Sequence, residues 1–259
     1  MSQTPIEVAA IRQLTHRLHL PTVGSQCARL ADQAIKEKHS HLSYLEALLE
    51  AEVEEREKNV VARRVKEAHF PMVKTLEEFD FETAGHLPAA RIRRLAEGDY
   101  IVATEPVIFL GETGTGKTHL ATSLAVAACQ QRRRVRFATA AELINHLIEA
   151  RQKNELSRAV NRWTRYELIV LDEMCYVAIP DRAAELLFQI VAGRAERAAV
   201  IVTTNLPFSE WTTMIPNARL CKAMVDRLTD RAHIIETGTE SYRFRRTLAK
   251  NKGAKSLAK

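Results

Sequence analysis

Past residue 105 the chain alternates between short apolar runs and longer stretches with apolar residues at helical spacing. The apolar runs are Val107–Leu110, Leu168–Leu171 and a run that begins at Ala198 and ends at the amide of Asn205. Unbroken runs of this length are typical of central strands in a parallel sheet, which is covered on both faces. The intervening stretches, among them Leu120–Ala128 and Arg182–Arg197, favour helices. The pattern predicts an α/β domain with a parallel, doubly wound sheet.

The first 69 residues follow a different pattern. Apolar residues at helical spacing predict helices over Ile6–Leu18, Cys27–Lys38 and Ser43–His69, with Pro21 and Gly24 expected to break the first from the second. The third helix is dense in alternating charge, which is consistent with an exposed helix. Its cations either face DNA or a partner, or form a solvated face; they are Arg56, Lys58, Arg63, Arg64 and Lys66.

These patterns divide the chain into three parts. We predict a small all-helical DNA- or partner-binding module over 1–69, a nucleotide-binding domain over 70–246 and a basic flexible tail over 247–259. At the start of the second part an aromatic segment is expected to reach the nucleotide base through Phe79 or Phe81, although core packing is the alternative for either ring. After the phosphate-binding region, Thr139 and Glu142 form the pattern of a capping box, which predicts a helix through Ile148.

Composition places limits on the setting. The chain of 259 residues has a net charge of +6, and from Ser241 to the end it carries seven cations and no acid. Such a segment is either an arm for a polyanion or a solvated end. The four cysteines are far apart without C-x-x-C spacing, so we expect reduced thiols. With no signal-peptide or membrane-spanning run, a cytoplasmic protein is expected.

The most specific chemistry lies between the first apolar run and the next helix. This stretch fits G-x-x-x-x-G-K-[ST], the loop whose backbone N–H groups and following helix N-terminus surround phosphates. Lys117 is expected to reach the β- and γ-phosphates of ATP, and the Thr118 hydroxyl to bind Mg²⁺. A surface turn before a helix is the alternative. The predicted nucleotide-binding residues are Gly111, Glu112, Thr113, Gly114, Thr115, Gly116, Lys117, Thr118 and His119.

Two acids end the second apolar run. Asp172 and Glu173 fall at the carboxyl end of the predicted strand, where ligands bind in open α/β sheets. We expect Asp172 to hold Mg²⁺ through water and Glu173 to orient or deprotonate the attacking water. Solvated acids at a strand end are the alternative. Because a hydrolase needs a group that activates water, the pair favours ATP hydrolysis over phosphoryl transfer to a metabolite.

Two strings along the chain are especially specific: Thr204-Asn205-Leu206-Pro207-Phe208 with Trp211, and Glu240-Ser241-Tyr242-Arg243. Together with the phosphate loop and the acid pair, they resemble the IstB-type transposition helper ATPases, which are AAA+ proteins related to the DnaC helicase loaders and the DnaA initiators. The resemblance covers nearly the whole chain. It implies an ATPase that forms homo-oligomers with ATP on duplex DNA and recruits or stimulates a transposase. One departure, Cys175 where the family usually has glycine, stands beside Glu173.

The resemblance also assigns two further catalytic residues. Asn205 matches the polar residue that helps to position the lytic water, with an ordinary turn before Pro207 as the alternative. Arg227 best matches the arginine that a neighbouring subunit supplies to the γ-phosphate. A surface salt bridge with Asp230 is its alternative, and Arg231 and Arg219 are the substitutes. A helicase loader and a DNA scaffold without significant hydrolysis remain open as other functions.

Overall fold

The computed structural model describes residues 5–176, 178–239 and 241. The chain divides into two compact units, the first ending at Arg63 and the second beginning at Arg64. This division falls inside one long helix. The predicted tail over 247–259 lies outside the described residues.

The N-terminal unit contains α1 (Pro5–Arg17), α2 (Pro21–Glu37) and most of α3 (His41–Ala68). The predicted break between the first two helices is present after Arg17, but the predicted start of the second helix at Cys27 is wrong, because α2 begins at Pro21 and includes Gly24. Proline fits the first helical turn, where its missing N–H has no helical acceptor. Gly24 lets α1 approach, since a Cβ there would collide with Thr15 Oγ1. The buried carboxylate of Glu52 on α3 accepts hydrogen bonds from Thr22 N (2.8 Å) and Val23 N (3.1 Å) and so caps α2.

The second unit is built on five parallel strands in the order β2-β3-β4-β1-β5. This confirms the predicted parallel sheet. The strands are β1 (Val107–Leu110), β2 (Val135–Thr139), β3 (Leu168–Met174), β4 (Ala199–Thr204) and β5 (His233–Glu236).

Helices cover both faces of this sheet. The helices are α4 (Ala89–Ala96), α5 (Asp99–Val102), α6 (Lys117–Gln130), α7 (Ala140–Gln152), α8 (Leu156–Trp163), α9 (Asp181–Arg194), α10 (Trp211–Met214) and α11 (Ala218–Thr229). Val107 and Phe109 face the core formed with α4, α5 and α6, whereas Ile108 faces the core formed with α7, α8, α9 and α11. This alternation explains why the strand sequences are apolar throughout.

The pairing of β3 with β4 is irregular near its carboxyl end. Leu171 is paired with Val202 and Met174 with Thr204, so β3 carries one extra residue. Glu173 lies in this interval with φ +57°, in the left-handed region. An extra residue bends a strand and re-aims its side chains. The irregularity therefore sets the direction of the two acids that the sequence singles out.

Candidate functional site

The phosphate loop connects β1 to α6 along a tight path that depends on glycine. Gly116 has φ +97°, and a Cβ there would lie 2.8 Å from Phe79 Cε2. A Cβ on Gly111 would lie 2.8 Å from Gly238 O. Lys117 is the first residue of α6, so the loop leads directly into the N-terminus of a 14-residue helix. The N–H groups at such a terminus have no helical acceptors and attract anions.

Within the loop, Lys117 Nζ donates to Gly111 O and Glu112 O, each at 2.7 Å. The ammonium group therefore lies against the concave backbone where the motif places phosphate oxygens. The loop is also tied to the segment after β5. Thr115 Oγ1 lies 2.6 Å from Thr237 Oγ1, and Thr237 N donates to Leu110 O at 2.7 Å. Sequence reasoning missed Thr237, which is distant along the chain and matches none of the motifs considered.

Thr118 and Asp172 meet at the carboxyl edge of the sheet. Thr118 Oγ1 donates to Asp172 Oδ1 and Oδ2 at 3.0 and 3.1 Å, and Asp172 is only 4% exposed. A hydroxyl and a buried carboxylate are hard oxygen ligands of the kind that Mg²⁺ takes with nucleotide phosphates. The two predicted metal-binding residues are thus brought together, and their donor set fits Mg²⁺.

Glu173 follows directly but differs in exposure. Its side chain is exposed, while its main-chain N–H donates to Thr203 Oγ1 at 2.9 Å. Thr203 Oγ1 in turn donates to Asp172 Oδ1. Sequence reasoning missed Thr203. The available signal was a hydroxyl residue within the apolar run of a central strand.

Cys175 has a left-handed backbone, with φ +59°, which explains why glycine suits this turn. Burial raises the pKa of the Cys175 thiol to about 12. The side chain is therefore a neutral packing group beside the acids, since the thiolate is the nucleophilic form of cysteine.

Asn205 comes immediately after β4 and is half-buried. Because β4 lies between β1 and β3, the turn that holds Asn205 lies between the phosphate loop and the acids. Gly111 N donates to Thr204 O at 3.2 Å, which ties this turn to the loop. The position is suited to a polar group that acts between phosphate and water.

An aromatic residue borders a cavity of about 460 Å³ beside the loop. Phe79 lines this cavity together with the residues of the loop, and its ring lies edge-on to His119 with a centroid distance of 5.1 Å. His119 Nε2 is 3.0 Å from Thr75 O, which fixes the aromatic segment against α6. Phe81 packs under the Arg93 guanidinium, 5.2 Å from its ring centroid, and its ring lies 4.8 Å from that of Phe79. Of the two rings, Phe79 is the one that borders the cavity beside the loop.

Arg227 lies far from this group of residues. It is exposed in the last turn of α11 and borders a cavity of about 280 Å³ with Pro106 and Ala198, the residues that precede β1 and β4. It therefore lies at the amino edge of the sheet, whereas the phosphate loop leaves the carboxyl edge. Among the described residues no ion pair joins Arg227 to Asp230. The carboxylate of Asp230 is instead paired with Arg231, with 3.9 Å between Arg231 Nε and Asp230 Oδ2.

Comparison with known proteins identifies the family of this chain. The profile of the family described as IstB-like ATP binding protein matches residues 13–250. The chain belongs to this family. The family match extends from α1 through the whole described second unit, as the sequence resemblance predicted.

Relatives within the family are named for insertion sequences. One, named for ATP binding and insertion sequence IS5376 of Geobacillus stearothermophilus, is 34% identical over 235 residues, covering 91% of this chain and 94% of the relative. The IS21 ATP-binding relative of Pseudomonas aeruginosa is 33% identical over 232 residues, covering 90% of this chain and 88% of the relative.

Solved structures show the same fold at low identity. AMPPCP-bound DnaA from Aquifex aeolicus is similar with a TM-score of 0.55 and 19% identity, over 65% of this chain and about half (51%) of that chain. DnaI is similar with a TM-score of 0.53 and 17% identity, over 63% of this chain and 90% of that chain. These likenesses show that the second unit shares the fold of DnaA and DnaI. In the part of the chain that the structure describes, no helix has the length and apolar character to cross a membrane.

Proposed function

We propose that this protein is an ATP-dependent helper of DNA transposition. It binds ATP with Mg²⁺, assembles on duplex target DNA, hydrolyses ATP and recruits or stimulates a transposase. The observation that carries the proposal is the contact of Thr118 Oγ1 with both carboxylate oxygens of Asp172, at 3.0 and 3.1 Å, beside a complete phosphate loop. The relatives named for insertion sequences supply the biological setting.

Nucleotide binding rests on three kinds of contact. Lys117 and the loop receive the phosphates, because the positive charge of the ammonium group and the N-terminus of α6 converge there. Phe79 and His119 border the cavity that takes the rest of the nucleotide. Thr118 and Asp172 hold Mg²⁺, which when bound neutralises the charge of the β- and γ-phosphates.

Hydrolysis requires a base and a fixed water. Glu173 is exposed beside Asp172, so its carboxylate is available to take a proton from the attacking water. Asn205, on the turn that follows β4, orients that water toward the γ-phosphate. A buried acid for the metal and an exposed acid for the water divide the two roles between neighbouring residues.

The arginine that completes the site comes from a second subunit. Arg227 stands at the opposite edge of the sheet from the loop of its own chain, with its side chain exposed. Four residues of β1 alone span about 13 Å at the usual rise per residue. We therefore assign Arg227 to the γ-phosphate of a neighbouring protomer, which makes homo-oligomer formation part of the reaction.

The sequence offers DNA two groups of cations, one on α3 and one after Ser241. Arg56 is engaged by Glu52 at 2.8 Å, and Arg64 by Glu67 at 3.1 Å, so these two cations of α3 serve the protein itself. The basic segment after Ser241, which lies beyond the described residues, retains the largest run of cations and is the proposed arm for the phosphate backbone.

The test compares the wild-type chain with Lys117→Ala, using Lys153→Ala as the control because Lys153 is an exposed cation outside the site. ATP affinity is measured by calorimetry, and assembly on duplex DNA by analytical ultracentrifugation. Lys117→Ala should lose ATP binding and ATP-dependent assembly, whereas Lys153→Ala should retain both. Unchanged ATP affinity in Lys117→Ala would reject the site. ATP-dependent assembly on single strands alone would favour a helicase loader.

A further inference from the structure

Thr203 joins the two acids of the site through one buried hydroxyl. It lies on β4 beside the irregular part of β3 and is 1% exposed. Its Oγ1 accepts the main-chain N–H of Glu173 at 2.9 Å and donates to Asp172 Oδ1. The backbone of the proposed water-activating residue and the carboxylate proposed for the metal are therefore linked by a single side chain.

The two hydrogen bonds use the hydroxyl in both of its roles. A threonine hydroxyl has one proton to donate and lone pairs that accept, so it serves Asp172 and Glu173 at once. Valine has the same shape without either capacity, and serine keeps both. The Thr203 hydroxyl is distinct from that of Thr118, which also donates to Asp172 but belongs to the proposed metal site.

The contact occurs where regular strand pairing is interrupted. Glu173 has φ +57°, a backbone conformation that residues other than glycine seldom adopt, and β3 carries its extra residue here. An acceptor aimed at the Glu173 N–H holds the strand in this form. Because Asp172 is held by the same hydroxyl, a change at Thr203 alters the directions of both acids together.

We infer that Thr203 is a positioning residue for ATP hydrolysis, which fixes the Asp172 carboxylate for Mg²⁺ and the Glu173 side chain for the attacking water. The inference rests on the proposed function of the same site. It assigns the role to a buried residue whose hydroxyl contacts the two acids. Groups that orient metal ligands in this way typically change metal affinity or activity by about 10- to 100-fold when removed.

The experiment compares wild type, Thr203→Val and Thr203→Ser. The readouts are kcat and KM for ATP in the presence of duplex DNA, the Mg²⁺ concentration for half-maximal rate, and ATP affinity in EDTA. In Thr203→Val we expect kcat to fall at least about tenfold and the Mg²⁺ requirement to rise about tenfold. The ATP affinity of Thr203→Val in EDTA should stay within about threefold of the wild-type value, because the contacts of the phosphate loop are unchanged. Thr203→Ser, which keeps the hydroxyl, should retain the wild-type kcat and the wild-type Mg²⁺ requirement.

Several outcomes overturn the inference. Wild-type kcat and Mg²⁺ dependence in Thr203→Val would do so, as would a serine variant as impaired as the valine variant. If Thr203→Val does not fold, Thr203→Ala and Thr203→Ser are compared instead, since they differ only by the hydroxyl. A wild-type chain that binds ATP but releases no phosphate contradicts the proposed function. The Mg²⁺ dependence of ATP binding in the same variants then decides the inference, and equal dependence in all of them overturns it.

Discussion

Replacing Arg227 with alanine should separate nucleotide binding from hydrolysis. The side chain is exposed at the amino edge of the sheet, whereas the phosphate loop of its own chain leaves the carboxyl edge. ATP affinity of the isolated chain should therefore remain at the wild-type value. Hydrolysis in the DNA-bound assembly should fall by about 10³, the lower end for an arginine supplied in trans. Lys222→Ala, an exposed cation on the same helix, is the matched control.

Mixing two inactive variants gives a quantitative check. An interface is active when one chain supplies Glu173 and its neighbour supplies Arg227. In an equal mixture of Arg227→Ala and Glu173→Gln, random assembly gives this arrangement at roughly one quarter of the interfaces in a head-to-tail oligomer. The mixture should therefore recover about a quarter of the wild-type rate per interface, hundreds of times the rate of Arg227→Ala alone.

The assay is phosphate release at a series of mixing ratios, with mixed oligomers verified by labelling the two variants with different fluorophores. Activity should follow the product of the two fractions and be highest at equal amounts. No recovery at any ratio, in oligomers shown to be mixed, would remove Arg227 from the role in trans. Arg231 and Arg219 would then be tested in the same way.

Three further predictions concern other parts of the chain. Glu52→Ala should lower the free energy of unfolding by about 1–3 kcal/mol in denaturant titrations, because buried N–H groups at the start of α2 lose their acceptor. Burial alone would raise the pKa of Glu52, but hydrogen bonds from Arg56 and from α2 outweigh it and hold the pKa below its ordinary value. This contribution should thus be complete above the unfolded pKa and be lost as pH falls through the folded one, as melting curves at successive pH values would record. Phe79→Ala should weaken ATP binding about tenfold in calorimetry, the scale of one base–aromatic contact, whereas an equal loss in Phe81→Ala would contradict the placement of the two rings. Deleting the residues after Arg246 removes four lysines and should lower the slope of log DNA affinity against log salt by up to about 3.6; an unchanged slope would make this segment a solvated end.

The parts of the site that are local in sequence could be predicted from the sequence. The loop from Gly111 to Thr118 and the acids Asp172 and Glu173 follow apolar runs that form strands, so their position at one edge follows from the fold class. The capping box of Thr139 and Glu142 is likewise a pattern that spans only four residues, and both of its hydrogen bonds are present. Each of these signals lies within a few residues of the structure that it specifies.

Features that depend on distant partners could not be predicted in this way. The extra residue in β3 and the Thr203 contact arise from the register of two strands about 30 residues apart. Thr237 likewise meets the loop from the segment after β5. The short strand β5 is half-exposed at the sheet edge and lacks a long apolar run. Pro21 was misjudged because proline stops a helix in its interior but suits its first turn.

The central claim is that this chain hydrolyses ATP with Glu173 as the residue that activates water. The most direct measurement is phosphate release by the purified chain with Mg²⁺ and duplex DNA, for wild type and Glu173→Gln, beside ATP affinity for both. The account predicts equal affinity and a rate that falls by about 10²–10⁴ in Glu173→Gln, because the amide cannot accept the proton. Equal rates in the two proteins, or a wild-type chain that binds ATP and releases no phosphate, would contradict it.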